Sequence, residues 1–470
     1  MATRCAFDLG ELRWVPQGDV ERICLHRAQD TSWRLDLGAA GEVPLSAVRG
    51  VSRPGAGGFL TLEVADLGQL GLRCKSEDAA KLFHGELSRR LAEYERFERY
   101  DQNSVQGYFQ YYGKLPNQQN MLQDTTRTSV YRQAILENPS DFLGASVMDL
   151  GAGSGILSFF SAQAGASTVY AVEASSMAEV VRLLADSNAA RFPSSRIEVL
   201  AKPIELVSPE DVAGKVDVLV SEPIGTFLFN ERMIESYLVA RDRFLKPGGK
   251  MFPNIGDLFI APFSDAVLHW EYSNKNTFWK CKDFYGLDLT AVAKRCTEEQ
   301  FRKPVVDYIN PECLVSAAQV KRFDFATVPV ESLHNIELPF DFEVNQPCLV
   351  HGIAGWFDAI FQGSNRTVTL STAPWCPGTH WYQIRFLLET PLAVNAGQHV
   401  EGTLRMEANS MQSYFVRVHM QIKGTSISSE SHVVDLKDPE YRFFGQQAGY
   451  QPNTGYQQAQ AANASATAAQ

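Results

Sequence analysis

Val147-Met148-Asp149-Leu150-Gly151-Ala152-Gly153-Ser154-Gly155 decides the fold. An apolar run enters a G-x-G-x-G turn, and Ile156 to Ala164 continues as a helix. Strand, glycine turn and helix together open a doubly wound, Rossmann-like sheet. Glycines in such a turn let backbone approach a ligand closely, and the helix N-terminus offers free N–H groups. A second apolar run, Thr168 to Val172, ends in Glu173, placed to accept hydrogen bonds from ribose hydroxyls. The glycine spacing differs from the dinucleotide pattern G-x-G-x-x-G and favours a single adenosine unit. Ile197 to Leu200 supplies a third strand, with Glu205 a few residues beyond it, and Leu206 to Val212 leads to a fourth, Val216 to Val220. Strands alternating with helices to about Phe263 complete the sheet.

The fourth strand feeds Ser221-Glu222-Pro223-Ile224-Gly225-Thr226-Phe227-Leu228-Phe229-Asn230-Glu231-Arg232. Proline and glycine turn the chain at the strand's carboxyl end, where open α/β sheets place their ligands. Glu222 and Glu231 flank an apolar, aromatic loop that could return and hold both acids over one pocket. Two facing carboxylates repel unless a cation sits between them. A guanidinium suits that place, being planar, permanently charged and able to donate to two acids at once. Read alone, the stretch serves equally as a strand-end Glu and a solvated helix Glu. Upstream, Ser104 to Leu136 reads as helix in pieces, with Tyr108, Phe109, Tyr111 and Tyr112 crowded together. Asp124 and Arg127 follow, three residues apart on one helical face, an unusual pair for a core.

The flanks differ in kind. Short apolar runs and turns from about 10 to 75, then an amphipathic helix to about 98, predict a small β module like a pleckstrin-homology domain over 1–98. The Rossmann-like domain is expected over 104–263, and a β-barrel domain over 264–445 with an aromatic-rich insert at about 264–301. The uncharged Gln-, Ala- and Gly-rich tail, 446–470, is expected to be disordered. Across 470 residues the net charge is −11, which argues against broad nucleic-acid or anionic-membrane binding. The eight cysteines are scattered without metal-ligand spacing and read as reduced thiols of the nucleus and cytoplasm.

With these pieces placed, the chain resembles the protein arginine methyltransferases, in particular their coactivator-associated (type I) branch. The likeness runs from about Tyr108 to Tyr441 and is carried by VMDLGAGSGILSFFSAQAGA, VYAVEASSMA, SEPIGTFLFNERMIESYL, MFPNIGDLFIAPF, LVHGIAGWFDAIF and LSTAPWCPGTHWYQ, in the family's order. It implies S-adenosylmethionine as donor, with S-adenosylhomocysteine as product, and no metal. Gly151, Gly153 and Gly155 would lie against the donor, Glu173 on its ribose, Ser175, Met177 and Glu205 about its adenine, and Arg127 on its carboxylate. Tyr108, Phe109 and Tyr112 would form a flap. Glu222 and Glu231 match the acids that clamp the substrate guanidinium, and His380 matches the THW element, with Asp124 as its ion-pair partner. The insert matches a dimerisation arm, implying a homodimer, and the substrates implied are histones, coactivators and RNA-processing factors. Where the family shows Met and an aromatic in the acid loop, this chain has Ile224 and Thr226. Asymmetric dimethylarginine is the expected product. A monomethyl-only enzyme and a catalytically weak coactivator scaffold are the alternatives, and a nucleotide-dependent dehydrogenase is disfavoured by the glycine spacing and the acid loop.

Overall fold

The computed structural model describes residues 100–442 continuously, and short segments between residues 13 and 88. The chain divides into two compact units, Met1–Gln102 and Asn103–Gln470. In the first, Arg13–Trp14, Gly68–Arg73, Phe59–Val64 and Val48–Ser52 form an antiparallel sheet in that order. Cys24–Arg27, Trp33–Asp36 and Glu42–Pro44 form a second antiparallel sheet. Helical residues follow, burying Ala80, Phe83 and Leu87. The turn cluster at 54–58, the cap at Ser76, the helix end beyond residue 88 and the tail from 443 lie outside the described residues.

The second unit opens with three helices, α1 (Gln102–Tyr112), α2 (Leu115–Gln123) and α3 (Thr125–Leu136). Five parallel strands follow: β1 (Ser146–Leu150), β2 (Thr168–Val172), β3 (Arg196–Leu200), β4 (Val216–Ser221) and β5 (Leu245–Phe252). Their spatial order is β3-β2-β1-β4-β5. The apolar runs of β1, β2 and β4 are what strands buried on both faces require. Helices α4 (Ile156–Gln163), α5 (Met177–Asn188) and α6 (Met233–Phe244) connect them. Between β3 and β4 there is only one 3-10 turn, Ile204–Leu206, so the strict alternation expected there fails. Pro203, Pro209 and Gly214 break up the segment.

The boundary expected at 263 moves as well. Ile255–Phe263 pairs antiparallel with Gln319–Asp324 on one side and Cys348–Gln362 on the other, so it belongs to the following β domain. Its continuous burial, which from sequence alone suits a parallel strand, comes from being central in that sheet. The β domain consists of two sheets. One runs Gln319–Asp324, Ile255–Phe263, Cys348–Gln362, Gln383–Val394, Val305–Asp307, Glu440–Tyr441. The other is built on Asn335–Glu343, His399–Asn409 and Ser413–Ile422. Asn335–Glu343 alternates exposed and buried side chains along its whole length, as a strand with one wet face must.

One hydrophobic core joins the parallel sheet to both antiparallel sheets, containing Val147, Val220 and Phe252 together with Ile353, Phe386 and Val416. Ring contacts tie the parts directly: Tyr131 to Phe361 at 4.9 Å, Phe227 to Phe386 at 5.4 Å, Phe229 to Phe323 at 4.7 Å. The insert after Phe263 carries α7 (Ala266–Lys275) and α8 (Ala293–Phe301). Trp270, Phe278, Trp279, Phe284 and Tyr285 are exposed on it. Tyr272 departs from that aromatic group: it is fully buried, packed with Phe301. Among the described residues no helix is long and apolar enough to cross a membrane.

Candidate active site

The acid loop leaves β4 at Ser221, whose hydroxyl donates to the Leu150 carbonyl at 2.7 Å. It then folds on itself through a bridge between Gly225 and Leu228. A side chain at Gly225 would put its Cβ 2.0 Å from the Asn230 carbonyl oxygen, so only glycine lets the loop close. Phe227, Leu228 and Phe229 turn inward and are at most 2% exposed. Phe227, Leu228, Glu231 and Arg232 have φ of 56, 69, 73 and 55°, each unfavourable for a residue with a side chain. Neighbouring elements hold the loop in this shape. Asn230 accepts from Ser413 Oγ at 2.7 Å, and Arg232 donates to the Asn409 carbonyl at 2.9 Å and to the buried Glu235 at 2.6 and 3.0 Å. Trp381 Nε1 donates to the Ile224 carbonyl at 3.0 Å.

The two acids are held differently. Arg127 Nε donates to Glu222 at 2.7 Å, and the Ile224 amide donates to the other Glu222 oxygen at 3.3 Å. The Tyr112 hydroxyl lies 2.9 and 2.8 Å from the two Glu231 oxygens and donates to that carboxylate. Burial raises Glu231 to about 7, with the Glu222 charge adding to the rise and the Tyr112 hydrogen bond opposing it. Arg127, expected on a donor carboxylate, thus gives its Nε to Glu222 and is itself buried.

Asp124 and Arg127 do not share a helical face as the spacing suggests. Asp124 is the N-cap of α3, and its Oδ1 accepts from the Arg127 amide at 2.9 Å. Its Oδ2 accepts from the His380 amide at 2.8 Å and pairs with His380 Nδ1 at 2.7 Å. Burial pushes Asp124 up, but the hydrogen bonds from His380 and the Arg127 amide outweigh it and hold the carboxyl below its ordinary value. With Nδ1 against a carboxylate, Nε2 is the basic nitrogen of His380.

The glycine turn lies at the carboxyl end of β1. Gly151, Gly153 and Gly155 have φ of 68, 55 and 81°, and Gly155 leads directly into α4. Glu173 follows β2 and faces the turn, accepting from the Gly153 amide at 2.8 Å and the Ser175 amide at 2.7 Å. Ser175 Oγ in turn accepts from the Met177 amide at 3.2 Å. Tyr108, Phe109 and Tyr112 cluster on α1, with ring centroids 5.4 Å apart for the first two and 4.7 Å for Tyr108 and Tyr112. Beneath the turn, Asp149 accepts from Ser158 Oγ at 2.6 Å, and burial raises it to about 7. Glu205 stands apart: its carboxylate accepts from Ser236 on α6 at 2.8 Å. Among the described residues no hydrogen bond joins it to Glu173 or the turn.

Sequence reasoning assigned no role to two residues that close this site. Gln118 on α2 is buried against Gly153, within 2.7 Å of where a Cβ there would lie, and donates to the Tyr112 carbonyl at 2.8 Å. Met233, the first residue of α6, lies against Gly151 and the Tyr108 hydroxyl, 3.7 Å from its sulfur. The surviving signal was weak: a polar run after Pro116 and one Met after the acid loop.

Comparisons with known proteins agree with this layout. Residues 254–426 match the arginine methyltransferase oligomerization subdomain, and residues 123–249 match the ribosomal protein L11 methyltransferase family. Histone-arginine methyltransferase CARMER of Drosophila persimilis is 47% identical over 360 residues, which are 77% of this chain and 66% of CARMER. CARMER of Drosophila willistoni is 46% identical over the same share. The chain therefore spans just under two thirds of the length of the curated relatives it matches. Among solved structures, Arabidopsis thaliana protein arginine methyltransferase 10 is 30% identical with a TM-score of 0.62, covering 69% of this chain and 99% of that one. The Trypanosoma brucei PRMT1 enzyme–prozyme heterotetrameric complex with AdoHcy is 28% identical with a TM-score of 0.60, covering 68% of this chain and 98% of that one. Sheet order, acid loop and a structural likeness over 69% of this chain lead to one conclusion: the chain belongs to the protein arginine methyltransferase family.

Proposed function

We propose that the protein transfers methyl groups from S-adenosylmethionine to guanidino nitrogens of protein arginines, giving mono- and asymmetric dimethylarginine. The observation that carries this reading is the acid loop: Glu222 and Glu231 held at a strand end, coupled electrostatically, one against Arg127 and the other against Tyr112. An incoming guanidinium satisfies both acids and favours loss of the Glu231 proton.

The residues around the glycine turn fit an adenosyl donor. Gly151 and Gly153 carry no side chain, and the Glu173 carboxylate is fixed beside the turn by two amides. When bound, S-adenosylmethionine supplies an electrophilic methyl group. Gly151 to Gly155 allow close approach, Glu173 is the acceptor for ribose hydroxyls, and Ser175 and Met177 border the adenine. Tyr108, Phe109, Tyr112 and Gln118 cover the site and exclude water. Glu222 and Glu231 orient the guanidinium, which no carboxylate can deprotonate in its ground state. Alignment at near-attack distance is the main contribution of these acids. The nitrogen acidifies as the bond forms, and Glu231 or His380 Nε2, backed by Asp124, takes its proton late.

We further propose a homodimer formed through the exposed aromatics of the insert, histone and related arginine-rich substrates in the nucleus and cytoplasm, and a pleckstrin-homology-like role for the N-terminal unit. The oligomerization-subdomain match, the name of the CARMER relatives and the two antiparallel sheets support these in turn. Mass spectrometry of arginine peptides and histones incubated with S-adenosylmethionine tests the activity. Wild type is expected to give asymmetric dimethylarginine, and Glu231→Gln to lose at least about a hundredfold in rate. Monomethylarginine alone after prolonged turnover would exclude the dimethyl product, and no transfer at all would exclude the function.

A further inference from the structure

We propose that Arg232 is a positioning residue whose guanidinium aims Glu231 at the arginine being methylated, an assignment that rests on the function proposed above. Arg232 follows Glu231 directly and is the N-cap of α6. Glu231 and Arg232 have φ of 73 and 55°, so the direction of the acid depends on a backbone that neither side chain favours. Tyr112 holds the carboxylate end of Glu231, at 2.9 and 2.8 Å. Arg232 holds the backbone end. Its Nε and Nη2 donate to the two oxygens of Glu235, in the first turn of α6, at 2.6 and 3.0 Å. Its Nη1 donates to the Asn409 carbonyl at 2.9 Å. One planar fork therefore ties the acid loop to a helix of the parallel-sheet domain and to the hairpin that joins His399–Asn409 to Ser413–Ile422.

Stability alone does not account for this pair. The Arg232 and Glu235 side chains are 5% and 1% exposed, and His334 Nε2 approaches Glu235 at 3.5 Å. Desolvation of two buried charges offsets most of their attraction, and a well-packed apolar pair in their place is often as stable or more so. Direction is what an apolar pair cannot supply. Three donors in the plane of one guanidinium fix where residue 232 stands, and the Glu231 Cα is only about 3.8 Å from its own. A displacement of about 1 Å in an aligning group is enough to cost about a hundredfold in rate. Arg232 acts through Glu231 and moves no proton itself.

Thermal unfolding of the full chain, together with steady-state kinetics on S-adenosylmethionine and an arginine peptide, tests this. Arg232→Met leaves Glu235 buried without its guanidinium and is expected to lower Tm by about 5–10 °C and kcat by about ten- to a hundredfold. The double variant Arg232→Met/Glu235→Leu removes both charges. Its Tm is expected to return to within about 2 °C of wild type while the loss in kcat stays. Donor affinity is expected to stay unchanged in both. In a Glu231→Gln background, followed with radiolabelled donor, Arg232→Met is expected to lower kcat further by less than about twofold, because the acid it serves is already gone. A double variant whose Tm stays low, or whose kcat recovers along with its Tm, would overturn the positioning role. So would an Arg232→Met loss that multiplies with that of Glu231→Gln. Each of these leaves the methyl transfer standing, whereas a wild type that methylates no arginine would overturn the underlying function and this assignment with it.

Discussion

At the scale of single residues, the Tyr112–Glu231 contact controls a protonation. Glu231 sits near 7 because burial outweighs the help from Tyr112. The rising limb of kcat/KM against pH is therefore expected to centre near 7. Tyr112→Phe removes the one hydrogen bond that lowers this carboxyl, so the limb is expected to move to higher pH, and a limb moving down would contradict the arrangement. The sign for stability is opposite to that of a salt-bridged acid. A carboxyl raised in the folded state binds more protons than the unfolded chain between about 4.5 and 7, so Glu231 costs stability as pH rises through that window. Glu231→Gln should therefore be the more stable protein above pH 7, by roughly 2–4 kcal/mol, and indistinguishable from wild type near pH 4. Urea unfolding at the two pH values measures it. None of this is visible in local sequence. Tyr112 and Glu231 are 119 positions apart, Arg127 and Glu222 are 95 apart, and no spacing rule links them. Both acids could be read as a candidate pair because a Pro–Gly turn and a strand end bracket them. The partner that holds each could not.

At the scale of elements, the acid loop is a device for holding an unfavourable backbone. Gly225→Ala is expected to prevent closure, since its Cβ would overlap the Asn230 carbonyl, and to abolish methyl transfer while costing on the order of 2–4 kcal/mol. Thermal unfolding together with an activity assay checks both parts, and a stable, active variant would refute the geometric requirement. Elements defined by their own periodicity were legible: β1, the glycine turn and α4 follow from one apolar run, three glycines and one helical repeat. Ile255–Phe263 was misassigned because uninterrupted burial arises equally in a parallel strand and in the middle of a broad antiparallel sheet. The segment at 204–212 failed for a different reason, two prolines and a glycine preventing the helix that alternation calls for.

At the scale of the whole second unit, the parallel and antiparallel sheets share one core and should open together. Native-state hydrogen exchange is expected to give amides of Leu219 and Ile353 the same opening free energy, and clearly separate values would show two independent cores. The shared core also bears on how this chemistry can be moved. The loop that carries the residues with positive φ is kept in place by Ser413, Asn409 and Trp381, all contributed by the β domain. A designer who transplanted residues 221–232 onto another sheet would carry over both acids and leave behind the clamp that aims them. The portable unit of this acid loop is a pair of domains, and mutational drift in one is constrained by the shape of the other.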